Sequence, residues 1–351
     1  MGEFNGLDCF ELRTFAQIFA MRRLTFVLVG FIMIVVLGSW GFMMHRTIHQ
    51  ITVYELPKAM QPFFYQHMDD IVKHSVRPDE RRNTDPTEAT KHFIDFEAYG
   101  DSAAWKMPWT RKEAENIYSK DTLLKYGHVP YVIIEVKGKL TEAFRQNNKD
   151  SILFYAADLG HYIGDAHVPL HTTLNYDGQL TGQRGLHSLW ESMVPEIEFN
   201  TYHLGSKHKA KYLRHPEQEI WNSLRKTFLL VDDVLRFERE VSKDFVDSTK
   251  YRVQMRRGRE VKNYSSAFAR VYAQKINHSV NKQALLSAEM FSNFLYTAWV
   301  DGGKPDLNAL LTTAFTKEHK KSLKQEVRWF KKNELVKNKK MISRQGASSE
   351  E

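Results

Sequence analysis

The chain has 351 residues, 42% of them hydrophobic and 26% charged, which suffices to bury a core in one large domain or two small ones and excludes wholesale disorder. Its net charge is +8, but residues 317–351 hold eleven Lys/Arg against five Glu, so the remainder is close to neutral and gives no basic-groove signal for nucleic acid. The single cysteine, Cys9, excludes an intramolecular disulfide and a thiolate-rich zinc site, so any metal must be held by His and carboxylates.

Met21-Arg22-Arg23 opens a basic stretch, Leu24–Leu37 is apolar, and Gly38-Ser39 follows. That is the layout of an export signal cut after Ser39, with the first twenty residues preceding a plausible start at Met21. The alternative is a membrane anchor extending to Met44. From Trp40 onward the pattern is helical almost throughout, with little of the period-two alternation that strands require. Leu56 to His74 is amphipathic. Residues 75–108 hold Pro78, Pro86, Gly100 and Pro108 and read as a long, functional loop. Thr110 can cap a helix from Arg111, with Glu113 as its acidic partner. Val129–Arg145 and Ser151–Asp165 read as buried helices, 172–185 as a loop, and Pro216–Phe245 and Ser265–Val300 as long amphipathic helices. Residues 316–340 read as a basic helix or a solvated tail. The organisation expected is therefore an extension and signal over 1–39, a main folded domain over 40–315 and a basic tail over 316–351, the last a candidate for peripheral membrane contact. No obligate protein partner is evident.

The chemistry concentrates in His161-Tyr-Ile-Gly-Asp165-Ala-His167-Val-Pro-Leu-His171 and in His187-Ser-Leu-Trp-Glu191. His161 and Asp165 are four apart, as are His187 and Glu191, so on a helix each pair shares one face. Two such pairs joined by a short step can converge on more than one metal ion. Imidazole and carboxylate without thiolate suit zinc in an open, catalytic site.

Upstream, Trp40-Gly-Phe-Met-Met-His45 begins where the signal would end, and His92-Phe93-Ile94-Asp95 follows a polar stretch containing Asp79. In this order the elements resemble the zinc-dependent phospholipase C and S1/P1 nuclease superfamily, over roughly residues 40–300. The resemblance implies an all-α, compact multi-helix domain that is exported, to the periplasm or outside the cell, and hydrolyses phosphodiesters with three zinc ions and metal-activated water. It implies one zinc on Asp79, His92, His161 and Asp165, and a second on His171, His187 and Glu191. A third would use His45, a bridging Asp165, and the backbone amine and carbonyl of Trp40. An amine ligates metal only as a free terminus, so cleavage after Ser39 would complete that site. Asp79 is the implied catalytic group, orienting or deprotonating the attacking water. Phe93 and Asp95 are implied substrate contacts, and His167 is a candidate to hydrogen-bond a ligand carboxylate.

Two substrate branches compete. Glu191 and the sixteen-residue step from His171 to His187 favour a phospholipase C-like enzyme. His92-Phe93-Ile94-Asp95 matches the nuclease form, and Met43, Glu80 and Ala89 stand where the phospholipase branch has its choline-recognising residues. The balance leans slightly to a phospholipid substrate, with single-stranded nucleic acid as the alternative. A di-metal helix-bundle oxidoreductase is an outside reading, since such sites use Glu-x-x-His rather than His-x₃-Asp. A membrane-tethered binding module with a degenerate site is another, and the full donor set argues against it.

Overall fold

The computed structural model describes residues 42–256 and 259–344. Trp40 and the 1–39 segment lie outside the described residues, so the signal, its cleavage and the Trp40 ligand stay expectations. Among the described residues the fold is all-α apart from one two-stranded hairpin. No helix there is long and apolar enough to cross a membrane.

Four helices carry the core: α1 (Phe42–Glu55), α2 (Val129–Arg145), α3 (Lys149–Asp165) and α4 (Ser266–Asp301). The last, 36 residues and about 54 Å long at 1.5 Å per residue, is the spine on which the other three pack. Ser265 starts it, its hydroxyl accepting from Phe268 N. In α2 the buried Val129, Val132, Ile133, Val136, Leu140, Ala143 and Phe144 follow the spacing of one helical face. Asn148 caps α3 by accepting from Ser151 N at 3.0 Å. From Ala156 to Asp165 every residue of α3 is buried, so this helix ends inside the protein.

Glycines let α1 and α3 approach closely. A Cβ on Gly160 would lie 2.4 Å from His49 Nε2, and one on Gly164 2.8 Å from the His45 ring. These two glycines immediately precede and interleave with His161 and Asp165, so the helix face that admits α1 adjoins the one that carries polar ligands.

Several local expectations need adjustment. Residues 75–108 are not a structureless loop but contain helices Arg77–Arg81 and Ala103–Lys106 and 3-10 turns Ala89–Lys91 and Phe96–Tyr99. Proline at the first turn of Arg77–Arg81 starts that helix rather than breaking it. The 216–245 stretch divides into Pro216–Phe228 and Val231–Ser242. The hairpin, β1 (Tyr251–Arg256) against β2 (Arg259–Tyr264), was not anticipated, although Tyr-Arg-Val-Gln-Met-Arg alternates with period two. The basic C-terminal stretch is a packed helix over Lys317–Lys331. Thr316 caps it, Leu323 and Phe330 are buried, and Glu326 accepts hydrogen bonds from Tyr54 and Tyr65 at 3.0 Å.

At the end of α1, Glu55 is buried with both carboxyl oxygens lacking a hydrogen-bond partner. Burial pushes it up to about 8, with nearby Ser292 and Ser206 opposing and Glu289 adding to the shift. A raised acid binds a proton in the fold that the unfolded chain has released, so stability is present at low pH and is lost as pH rises towards 8. Glu55→Gln should flatten that slope, making the variant relatively more stable at pH 8 than at pH 5 by about 1–3 kcal/mol. Denaturant midpoints at the two pH values check this, and parallel pH dependences would contradict it.

Candidate metal centre

Six segments bring the donors together. His45 lies on α1, Asp79 on the Arg77–Arg81 helix, and His92 just after the Ala89–Lys91 turn. His161 and Asp165 occupy the last turns of α3, and His171 sits in the Pro169–Thr172 turn. His187 lies in Leu186–Ser188 and Glu191 in the π-helical turn Leu189–Met193, a widened turn of the kind often found at functional sites. The segment from His92 to Asp95 is held by backbone hydrogen bonds: Ile94 N donates to His171 O, Asp95 N to Tyr126 O, and Val129 N to Phe93 O. Gly127, at φ +81°, permits this crossing, because a Cβ there would lie 2.3 Å from Phe93 O.

The first group is the tightest. His92 Nδ1, His161 Nε2 and Asp165 Oδ2 form a triangle with edges of 2.9, 3.0 and 3.3 Å. Asp79 Oδ1 stands 3.7 and 3.8 Å from the two imidazole nitrogens. A tetrahedral zinc with bonds of 2.0–2.1 Å needs donors about 3.3 Å apart, and these spacings match. In the second group Glu191 Oε2 lies 2.8 Å from His187 Nε2 and 3.6 Å from His171 Nε2. The third joins them: His45 Nε2 is 3.4 Å from Asp165 Oδ1 and 3.7 Å from Glu191 Oε1. Asp165 and Glu191 therefore each divide their two oxygens between neighbouring groups.

The proton positions favour a cation. His161 Nδ1–H donates to Ser75 O, His171 Nδ1–H to His92 O and His187 Nδ1–H to Tyr176 O. Each leaves Nε2 facing the carboxylates, and His171 Nε2 is buried with no hydrogen-bond partner among the described residues. Carboxylate oxygens and imidazole nitrogens this close to one another repel unless a proton or a metal ion lies between them. The electrostatics agree. Burial opposes protonation of His45, yet Asp165 and Glu191 push it up to about 10. Burial likewise opposes it at His171, which Asp165 and Glu191 push up to about 9. Asp165 and Glu191 themselves are held well below the usual carboxylate range despite burial, by the surrounding histidines. The donor set of imidazoles and carboxylates thus fits zinc.

The implied substrate residues border the same centre. A cavity of about 450 Å³ is lined by Arg82, Phe93, Asp95, Leu170, Tyr176 and the donors His92, His171 and His187. Burial, with Glu97 adding and His171 opposing, pushes Asp95 up to about 7. Its carboxyl can therefore donate as well as accept near neutrality.

His167 does not reach a ligand carboxylate. Its Nδ1–H donates to Ile163 O and its Nε2 accepts from Ser223 Oγ at 2.8 Å, so it clamps the 165–171 turn instead. Sequence reading also passed over Glu88, fully buried behind His92 with Oε1 3.6 Å from its Nε2. The signal was present, since Glu88 precedes His92 by four, the same spacing as the two pairs that were recognised. The carbonyls of Ser75 and Tyr176 carry no side-chain signature and could not have been found.

The S1/P1 Nuclease family model matches residues 40–292, and the chain belongs to that family. No curated protein sequence matches the chain. Among solved structures it is similar to the alpha-toxin of Clostridium perfringens isolated from avian strain SWCP, with 13% identity and a TM-score of 0.43. The match covers 77% of this chain and 65% of the toxin chain.

With His45 raised to about 10 and His171 to about 9, both are protonated at pH 7.5 when no metal is bound. Zinc binding should then release about two protons per chain. A pH-stat titration of zinc into metal-free protein in weak buffer reads the number, and zinc uptake without proton release would contradict the electrostatic description.

Proposed function

We propose that the chain holds three zinc ions and hydrolyses single-stranded nucleic acid. The observation that carries this reading is the shared use of Asp165 and Glu191: three donor groups lie edge to edge beside one open cavity. In this reading Asp79, His92, His161 and Asp165 hold one ion, and His171, His187 and Glu191 another. His45, Asp165 and Glu191 hold the third. Bound zinc supplies positive charge against the phosphate and lowers the pKa of a coordinated water. Asp79, partly exposed, would orient that water and accept its proton. No side chain becomes covalently attached to phosphorus.

Phe93 and Asp95 support the choice of nucleic acid over lipid. A half-exposed ring beside a carboxyl that can donate suits a nucleobase, which offers a face for stacking and an edge for hydrogen bonds. The family match supports the same direction. Glu191 and the short 171–187 step still favour a phospholipid, and that is the second reading.

Replacing His161 or Asp165 by alanine should lower the zinc content and abolish turnover of a chromogenic phosphodiester. Unchanged turnover by either purified variant would overturn the site. A paired assay of single-stranded oligonucleotide and phosphatidylcholine vesicles, each with and without chelator, should show chelator-sensitive cleavage of the oligonucleotide. Phe93→Ala should raise KM for that substrate roughly tenfold, since stacking is worth about 1–3 kcal/mol per base. Lipid turnover that exceeds oligonucleotide cleavage would move the conclusion to the second reading.

A further inference from the structure

We propose that Glu88 is the positioning carboxylate of His92, fixing which ring nitrogen of that ligand carries the proton. The inference rests on the reading that His92 Nδ1 faces a metal ion. His92 is reversed relative to three of its neighbours. His161, His171 and His187 spend Nδ1–H on a backbone carbonyl and present Nε2 to the centre. His92 instead points Nδ1 at Asp165 Oδ2, 2.9 Å away, and at His161 Nε2, 3.0 Å away. Its proton must then reside on Nε2. That atom is buried and has no hydrogen-bond partner among the described residues.

Glu88 Oε1 is the carboxylate oxygen that faces it, at 3.6 Å, about half an ångström beyond a hydrogen bond. Glu88 is fully buried and is held as an anion from every other side. Arg81 grips it with two prongs, Nε at 3.0 Å and the terminal nitrogen at 3.1 Å. Lys91 Nζ donates at 2.7 Å, and the Tyr162 hydroxyl also donates to Oε1.

A purely structural strut accounts for part of this network. Arg81 also binds Asp158 on α3, which ties the Arg77–Arg81 helix to that element. The strut needs only Arg81 and Asp158. It does not explain why a second, wholly buried carboxylate stands between Arg81 and an imidazole whose outer nitrogen has no hydrogen-bond partner among the described residues. Desolvating an ion is costly, and an apolar residue of similar size would often serve packing as well. Orientation of a metal ligand does explain it, because a carboxylate accepting from the outer N–H fixes the tautomer and makes the ligand more basic. The same helix carries Asp79, so Arg81 links two donors of the first group.

The test uses the full chain loaded with zinc. With isotope-labelled histidine rings, the two-bond proton–nitrogen spectrum separates ligands that carry the proton on Nδ1 from those that carry it on Nε2. The wild type should show one zinc-bound histidine of the Nε2–H kind, its ring proton shifted far downfield and slow to exchange. Glu88→Gln should move that resonance upfield and weaken zinc affinity about 10–100-fold in a chelator competition, with Glu88→Asp recovering part of the loss. The cobalt-substituted absorption spectrum should change in parallel. Should Glu88→Gln fail to fold, the wild-type spectrum alone decides. A folded Glu88→Gln that binds zinc as tightly as the wild type, or a wild type in which no ligand carries Nε2–H, overturns the proposal while leaving the metal centre standing. A wild type that binds no zinc overturns both.

Discussion

The Asp165 carboxylate is the constraint on which the rest of the centre depends. Its Oδ2 faces His92 and His161, and its Oδ1 faces His45. A buried ion of this kind is tolerated only when opposite charge and hydrogen-bond donors surround it. Six chain segments must therefore arrive at one place with their imidazoles already turned inward. The fold meets this demand by ending α3 inside the core and letting α1 cross it over Gly160 and Gly164. A larger residue at Gly164 would strike the His45 ring, so helix packing and ligand placement are the same event at that point.

Orientation comes mainly from the backbone. Carbonyls of Ser75, His92 and Tyr176 each take a ring N–H and so decide which nitrogen is left to bind. The segment 92–95 and the turn at 171 are tied to each other through Ile94 N and His171 O. His92 and His171, which would hold metal, thus share one hydrogen-bonded piece of chain with Phe93 and Asp95, which line the cavity. Motion of one without the other is disfavoured, which suits a reaction in which the phosphate must arrive at a fixed distance from its activated water.

Much of this was legible in the sequence, and the reasons for success and failure differ. His161–Asp165 and His187–Glu191 were readable because a helix repeats its face every four residues, and that regularity survives whatever the fold does. Helix α4 and the Thr110 cap followed from the same local rules. The division of Glu191 between two groups was not readable, because it depends on where α1 crosses a distant turn. The sequence placed Glu191 with His171 and His187 alone. His167 was misjudged because spacing from Asp165 says nothing of direction, and the 3-10 turn that follows swings the ring to Ser223. The basic C-terminal stretch looked like a solvated face by charge. Leu323 and Phe330, seven apart, bury one stripe of it.

The account stands or falls on metal ions occupying the space that Asp165 divides. Anomalous scattering at the zinc edge from crystals of the mature protein would show this directly. The account predicts one peak among His92, His161 and Asp165, a second among His171, His187 and Glu191, and a third beside His45. Density for a well-ordered Asp165 with no anomalous peak within bonding distance of either oxygen would contradict it.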